Sequence, residues 1–200
     1  MKKAALFLNG EKPKVIANLA KYDQVFCTDG AYDFLSSSHI TPDLIIGDFD
    51  SIETLPVHIA HKHTPDQNFT DFEKALKYII CQDYLKVDVF AANGLEQDHF
   101  LGNLTTALKY KSKIRITFYD DHHRYFFMDK KIKIDGVLNK IVSLFPFSKA
   151  TKVYSKGLQY PLNGRTLNIK NNNIGTRNKA VKNKIKIQFK KGNLLLFVEI

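Results

Sequence analysis

Cysteine is scarce in this chain: Cys27 and Cys81 are its only thiols. They form no Cys-x-x-Cys pair and have no second Cys or His at ligand spacing, which argues against a zinc site or a disulfide framework. Each sits in an apolar stretch and is expected to be a reduced, partly buried thiol. Long hydrophobic runs are missing as well, and none approaches the ~20 residues that a membrane span requires. The basic start, Met1-Lys2-Lys3, leads into Ala4-Ala5-Leu6-Phe7-Leu8, which Asn9-Gly10 ends. That apolar run is too short for the core of a signal peptide and reads as a first strand. A cytoplasmic protein without a membrane partner is the expectation. Internal repeats and low-complexity linkers are absent too. What remains is ordinary for a soluble globular protein, 44% hydrophobic and 25% charged. Two hundred residues fit one large domain or two small ones.

Acidic residues are scarce in the second half. Residues 1–110 carry 10 Lys+Arg and 15 Asp+Glu, a net of −5, whereas residues 111–200 carry 20 and 5, a net of +15. A basic half is one signature of nucleic-acid binding. However, Lys184-Ile185-Lys186-Ile187-Gln188-Phe189-Lys190 alternates with period two. Lysines in that pattern line the wet face of a half-buried strand. A solvated face is the favoured reading, and no nucleic-acid partner is expected.

The first part alternates short apolar runs with helical patterns. Residues 4–8, 25–27, 44–46 and 87–91 read as buried strands, and residues 13–20 and 31–36 as helices between them. The strongest helical signal covers residues 71–84. There Phe72, Ala75, Leu76, Ile79 and Ile80 form one apolar stripe, and Thr70 and Glu73 form a capping box at its start. A further helix begins near Asp98, with Leu101, Leu104 and Leu108 on one face. Such alternation implies a mostly parallel sheet covered by helices. After about residue 119 the pattern changes. Residues 124–128, 131–135, 140–145, 152–154, 166–169, 184–189 and 194–200 read as seven short strands, the signature of an antiparallel sandwich. The expected organisation is an α/β domain over residues 1–120 and a β-sandwich over residues 121–200.

Four segments place aspartate where a predicted strand ends. In Leu44-Ile45-Ile46-Gly47-Asp48-Phe49-Asp50-Ser51 an apolar strand runs into two carboxylates one residue apart. Open α/β sheets bind ligands at the carboxyl ends of their strands, and magnesium takes one or two carboxylates together with substrate phosphates. Asp48 and Asp50 suit that need, although Asp is also common in plain turns. Asp71 opens the strongest helix, where a carboxylate complements the dipole and where phosphates also bind. Lys74 lies one turn on, as a phosphate partner or a plain surface lysine. Asp98 and His99 follow the strand at 87–91, with Asp98 at an N-cap position, and Thr28-Asp29-Gly30-Ala31 ends another strand. One such segment alone is bland. Four converging on one sheet edge describe a site for a metal and a polyphosphate.

These motifs, in this order, resemble the thiamine pyrophosphokinase family. The resemblance rests on Asp29-Gly30-Ala31, Gly47-Asp48-Phe49-Asp50-Ser51, Pro65-Asp66-Gln67 with Thr70-Asp71-Phe72-Glu73-Lys74-Ala75-Leu76, and Asp98-His99 with Asn103-Leu104. Gly157-Leu158-Gln159-Tyr160-Pro161-Leu162 and Gly175-Thr176-Arg177-Asn178 resemble the looser motifs of that family's C-terminal domain. The resemblance implies a Rossmann-like N-terminal domain, a C-terminal β-sandwich, and a homodimer whose active sites are shared between subunits. It implies diphosphate transfer from ATP to thiamine with Mg2+, AMP leaving. Asp48, Asp50 and Asp71 are then the catalytic, magnesium-binding carboxylates. Asp29, Gln67, Thr70, Lys74 and Asp98 line the ATP and phosphate region, and Tyr160 and Asn178 of the neighbouring subunit hold the pyrimidine ring of thiamine. The chain departs from the family pattern at Glu96, where a cation is usual, at Arg177, where Ser is usual, and at Tyr160, where some members carry Trp. Two other readings compete: diphosphate transfer to another alcohol, such as a hydroxymethyl pterin, and nucleic-acid binding by the basic half. The second leaves the acidic clusters without a role.

Overall fold

The computed structural model describes residues 2–16, 18–52 and 54–200. The chain divides into two compact units, Met1–Asp121 and His122–Ile200. Among the described residues no helix is long and apolar enough to cross a membrane.

In the first unit, β1 (Lys3–Phe7), β2 (Gln24–Thr28), β3 (Leu44–Gly47), β4 (Ala60–His63), β5 (Lys86–Phe90) and β6 (Arg115–Tyr119) pair in parallel. Their order is β4-β3-β2-β1-β5-β6. The central strands β1 and β2 are buried along most of their length, as their unbroken apolar sequences require of a sheet covered on both faces. The order reverses between β1 and β5. Strand direction is shared, so every carboxyl end lies on one edge, and the reversal opens a crevice there.

Among the described residues three α-helices accompany the sheet: α1 (Tyr32–Ser37), α2 (Asp71–Cys81) and α3 (Gln97–Tyr110). The expected stripe of α2 buries Phe72, Ala75, Leu76 and Ile79, and the helix packs against β2 and β3. Its capping box forms by half. Thr70 Oγ1 accepts the Glu73 N–H at 3.3 Å, but Glu73 does not reach back. Its carboxylate instead accepts from Lys109 Nζ at 2.7 Å and Tyr110 Oη at 2.9 Å on α3. The helix stops at Cys81, short of residue 84, because Asp83 turns left-handed at φ 61°. α3 starts at Gln97, with Glu96 at the N-cap, so Asp98 lies in its first turn. Its buried face is Leu104, Thr106, Ala107 and Tyr110, while Leu101 is 57% exposed. Tyr110, held by Glu73, sets that rotation. The helix expected over residues 13–20 is not found among the described residues, and Ala17 lies outside them. A short 3-10 turn, Leu19–Lys21, stands there, capped by Asn18 Oδ1 accepting the Ala20 N–H at 3.0 Å. Such local side-chain bonds compete with a helix. Cys27 is buried as expected, whereas Cys81 is exposed, and both are free.

The second unit is antiparallel, as the sequence pattern implies. Its strands are β7 (His123–Phe127), β8 (Lys131–Ile134), β9 (Ile141–Lys156), β10 (Asn163–Asn168), β11 (Gly175–Lys179), β12 (Ile185–Gln188) and β13 (Lys191–Glu199). They run β7-β13-β9-β12-β8, with β10 and β11 also on β9. Two strands expected separately, over 140–145 and 152–154, are one 16-residue strand, β9. Left-handed residues at Ser148 (φ 69°) and Lys152 (φ 52°) interrupt its alternation, and the pairing of β10 and β13 on it shifts register. β12 behaves as its alternation demands, with Ile185 and Ile187 buried and Lys186 and Gln188 exposed. The core of this unit includes Val142, Leu144, Val153, Leu167, Leu194 and Leu196.

Candidate functional site

The crevice of the first unit is a cavity of about 740 Å3. Each contributing strand hands it one loop: Leu8, Asn9 and Gly10 after β1, Asp29 and Gly30 after β2, Asp48 and Asp50 after β3, and Ala91 and Ala92 after β5. The segment entering α2 and the first turns of α3 complete the wall. The contribution of β1 went unrecognised in the sequence, because Asn9-Gly10 has no charged residue. Its one signal is position, since it ends an apolar strand as the acidic segments do.

Phe49 is the pivot of the β3 loop. It is left-handed, φ 68°, and its ring stacks on His63 at 5.5 Å and meets His61 edge-on at 5.7 Å. Its ring is thus held at β4 while Asp48 and Asp50 on either side line the cavity. Gln67 Nε2 donates to Asp48 Oδ2 at 2.7 Å, and Ser51 Oγ donates to Asp50 Oδ1 at 2.9 Å. The Gln67 bond, together with the nearby Lys74 charge, holds the Asp48 carboxyl below the usual carboxylate range. Asp29 is buried behind them, 3% exposed, and accepts the N–H of Gly30 at 2.9 Å and of Phe49 at 2.8 Å. Burial pushes its carboxyl upward, the two N–H bonds oppose this, and the charges of Asp71 and Asp48 add to the rise.

Thr70 caps α2 at the cavity wall, which leaves the free N–H groups of that helix end near the acidic loop. Lys74 is no plain surface lysine: its side chain is 5% exposed, 3.0 Å from Asp71 Oδ1 and 3.5 Å from Asp48 Oδ2. Burial alone lowers its pKa, but the bond to Asp71 and the two carboxylate charges outweigh this and raise it, so the ammonium stays charged. Asp98 is placed differently. It is exposed, accepts the His99 N–H at 2.9 Å, and is not among the residues that line the cavity; Glu96 and His99 are. These two form an exposed pair at 3.4 Å on the rim.

In the second unit, Tyr160 is 67% exposed on a bend after β9 and fills no core. Asn178 is only 6% exposed. Its Oδ1 accepts the N–H of Tyr160 at 3.1 Å and of Lys179 at 3.0 Å, and its Nδ2 donates to the Tyr160 carbonyl at 2.7 Å. The amide therefore grips the backbone beneath Tyr160.

Single ligand atoms of Asp29, Asp48 and Asp50 lie within 4.8 Å of one another, the one such grouping among the described residues. Asp71 stands outside that grouping and is linked to Asp48 through Lys74. All the donors are hard carboxylate oxygens, which fit Mg2+ and do not fit a thiol-seeking metal. With one buried lysine, a helix N-terminus and several carboxylates, the cavity can hold an anionic phosphate chain accompanied by a divalent cation.

Both units resemble known proteins. The family model described as thiamin pyrophosphokinase, catalytic domain, matches residues 17–118. The one described as thiamin pyrophosphokinase, vitamin B1 binding domain, matches residues 129–194. A thiamine pyrophosphokinase of Bacillus subtilis (strain 168) is 31% identical over 160 residues, covering 72% of this chain and 75% of that protein. Among solved structures, a thiamine pyrophosphokinase from Bacillus subtilis matches with a TM-score of 0.86 at 22% identity over 99% of both chains. The one from Candida albicans matches with a TM-score of 0.86 at 16% identity, covering 100% of this chain and 89% of that one. Likenesses at these identities carry the fold.

Proposed function

This chain belongs to the thiamine pyrophosphokinase family, and from that premise we propose that it is a cytoplasmic thiamine diphosphokinase. It transfers the diphosphate of ATP to the hydroxyl of thiamine and releases AMP. The observation that carries the reading is the convergence of Asp48, Asp50, Asp71 and the buried Lys74 on one cavity at the carboxyl edge of the sheet.

The thiamine hydroxyl attacks the β-phosphorus of ATP and gives its proton to a carboxylate of the set Asp48, Asp50 and Asp71. The bond from that phosphorus to the oxygen bridging it to the α-phosphate breaks, and the bridging oxygen leaves with AMP. Such transfers depend on positioning and charge neutralisation rather than covalent chemistry. Asp48, Asp50 and Asp71 would hold Mg2+, which would supply charge neutralisation for the phosphates and for the departing oxygen. Lys74 pairs with a phosphate oxygen, and its burial strengthens that contact. Gln67 and Thr70 orient the phosphate chain at the start of α2. Tyr160 offers its ring to the pyrimidine from the partner subunit of a homodimer, and Asn178 of the same subunit supports it. Asp98 contributes less than its motif position implies, since it stands outside the cavity wall.

The test is an assay of AMP release with ATP, Mg2+ and either thiamine or a hydroxymethyl pterin. Release that depends on thiamine, with thiamine diphosphate formed, is the expected result. Release with the pterin and not with thiamine overturns the substrate assignment.

A further inference from the structure

We infer that Asp29 is a positioning residue: its carboxylate braces the loop that carries Asp48 and Asp50, and it is not itself a ligand of the cation. The inference rests on the metal and phosphate reading of the cavity given above. Proximity alone suggests otherwise, because a ligand atom of Asp29 lies within 4.8 Å of those of Asp48 and Asp50. Its hydrogen bonds point to the bracing role instead. Both Asp29 oxygens already accept a backbone N–H, one from Gly30 and one from Phe49, and the residue is almost wholly buried.

The second of those bonds matters for the loop. Phe49 is left-handed, a conformation that a bulky L residue adopts only when its surroundings impose it. Two restraints impose it here. His63 and His61 fix the ring from β4, and Asp29 fixes the N–H from the turn after β2. With Phe49 clamped at both ends, its neighbours on either side are carried into the cavity as a pair. Gly47 supplies independent support. A Cβ built there overlaps the Asp29 carboxyl group, so β3 keeps the space beside the brace free of any side chain. A carboxylate that orients ligands without touching the metal is a common second layer of metal sites.

The test compares Asp29→Asn, Asp29→Ala and Gly47→Ala with wild type, and with Asp48→Asn as the ligand control. It has three readouts: hydrogen exchange of the Phe49 amide by NMR, Mn2+ titration of the protein without nucleotide, and thermal unfolding. Asn retains one oxygen, able to accept the Phe49 N–H, and turns its NH2 group toward the Gly30 N–H, so that only the Gly30 bond is lost. Asp29→Asn should therefore keep that amide slow to exchange and lose clearly less Mn2+ affinity than Asp48→Asn, the loss being that of one nearby charge and not of a ligand. Asp29→Ala should free the amide and weaken Mn2+ by about 10- to 100-fold. Gly47→Ala should do the same although it removes no carboxylate. The proposal is overturned if Asp29→Asn loses as much Mn2+ affinity as Asp48→Asn while the Phe49 amide stays protected, since Asp29 is then a ligand. An unfolded Asp29→Asn protein, or an unaltered Phe49 amide in both Asp29→Ala and Gly47→Ala, also overturns it. Should Asp29→Ala not fold, the other two variants still decide. Wild-type protein that binds Mn2+ but gives no thiamine-dependent AMP points to a wrong substrate and leaves the Mn2+ comparison intact.

Discussion

Tyr160 and Asn178 come from separate motifs and play separate parts in the structure. Tyr160 is exposed and carries the ring; Asn178 is buried and carries the loop beneath it. Tyr160→Ala is therefore expected to change stability by less than about 0.5 kcal/mol. It should weaken thiamine several-fold, since an aromatic contact is worth about 0.5–1.5 kcal/mol beyond area burial. Asn178→Ala leaves the Tyr160 carbonyl and N–H unpaired and should cost about 1–3 kcal/mol of stability as well as thiamine affinity. Thermal unfolding with separate titrations of thiamine and ATP checks both, and a Tyr160→Ala protein that loses stability and both ligands together refutes the division. Asp48→Asn and Asp50→Asn lie on a loop outside the core. Each should cut turnover at limiting Mg2+ by about a hundredfold or more, judged by the worth of a donor aimed at developing charge, with little change in melting temperature. Near-normal turnover in both removes the pair from the metal site. The aspartates at strand ends were legible because their spacing from apolar runs is a one-dimensional signal. The burial of Lys74 was not, since two partners, Asp71 and Asp48, reach it from different elements.

At the scale of elements, Glu73 shows why local rules succeed only in part. Its position after Thr70 announces a helix start, and the start is there. Yet its carboxylate leaves its own helix for Lys109 and Tyr110 and ties α2 to α3. Burial raises its pKa, but those two bonds outweigh the effect and hold it below the ordinary value. A depressed folded pKa contributes stability above the unfolded value, and that stability is lost as pH falls through the folded value. Wild type should therefore lose stability below about pH 4.5, the ordinary Glu range, and Glu73→Gln should lose less across the same interval while starting about 1–3 kcal/mol lower at neutral pH. Urea unfolding at pH 6 and pH 3.5 measures both, and parallel pH curves for the two proteins count against the bridge. The same limit explains β4 and β11. Ala60-His61-Lys62-His63 is exposed throughout, and Gly175-Thr176-Arg177-Asn178-Lys179 has no apolar residue. Both exist because β3 and β9 offer them hydrogen bonds, information that lies elsewhere in the chain.

For the whole molecule, the class of each half was written in its periodicity, and the change of pattern near residue 119 falls close to the division at Asp121. The proposed assembly is tested by mixing Asp48→Asn protein with Asn178→Ala protein. If active sites are shared between subunits, one hybrid site carries neither lesion and thiamine-dependent activity returns. Verified subunit exchange without that return dismisses the shared site. The long strand β9 has a consequence for biosynthesis. It pairs with β13, whose partners on either side are β7 and β9, so the second unit closes only when residues 191–199 have left the ribosome. The first unit has all its strands by Tyr119 and can collapse earlier. During the interval the nascent chain displays β9 with an unpaired edge and its apolar residues uncovered, a template for other chains. Slowed elongation between residues 156 and 191 therefore lengthens the time at risk of aggregation and places the demand for chaperones between the synthesis of β9 and that of β13.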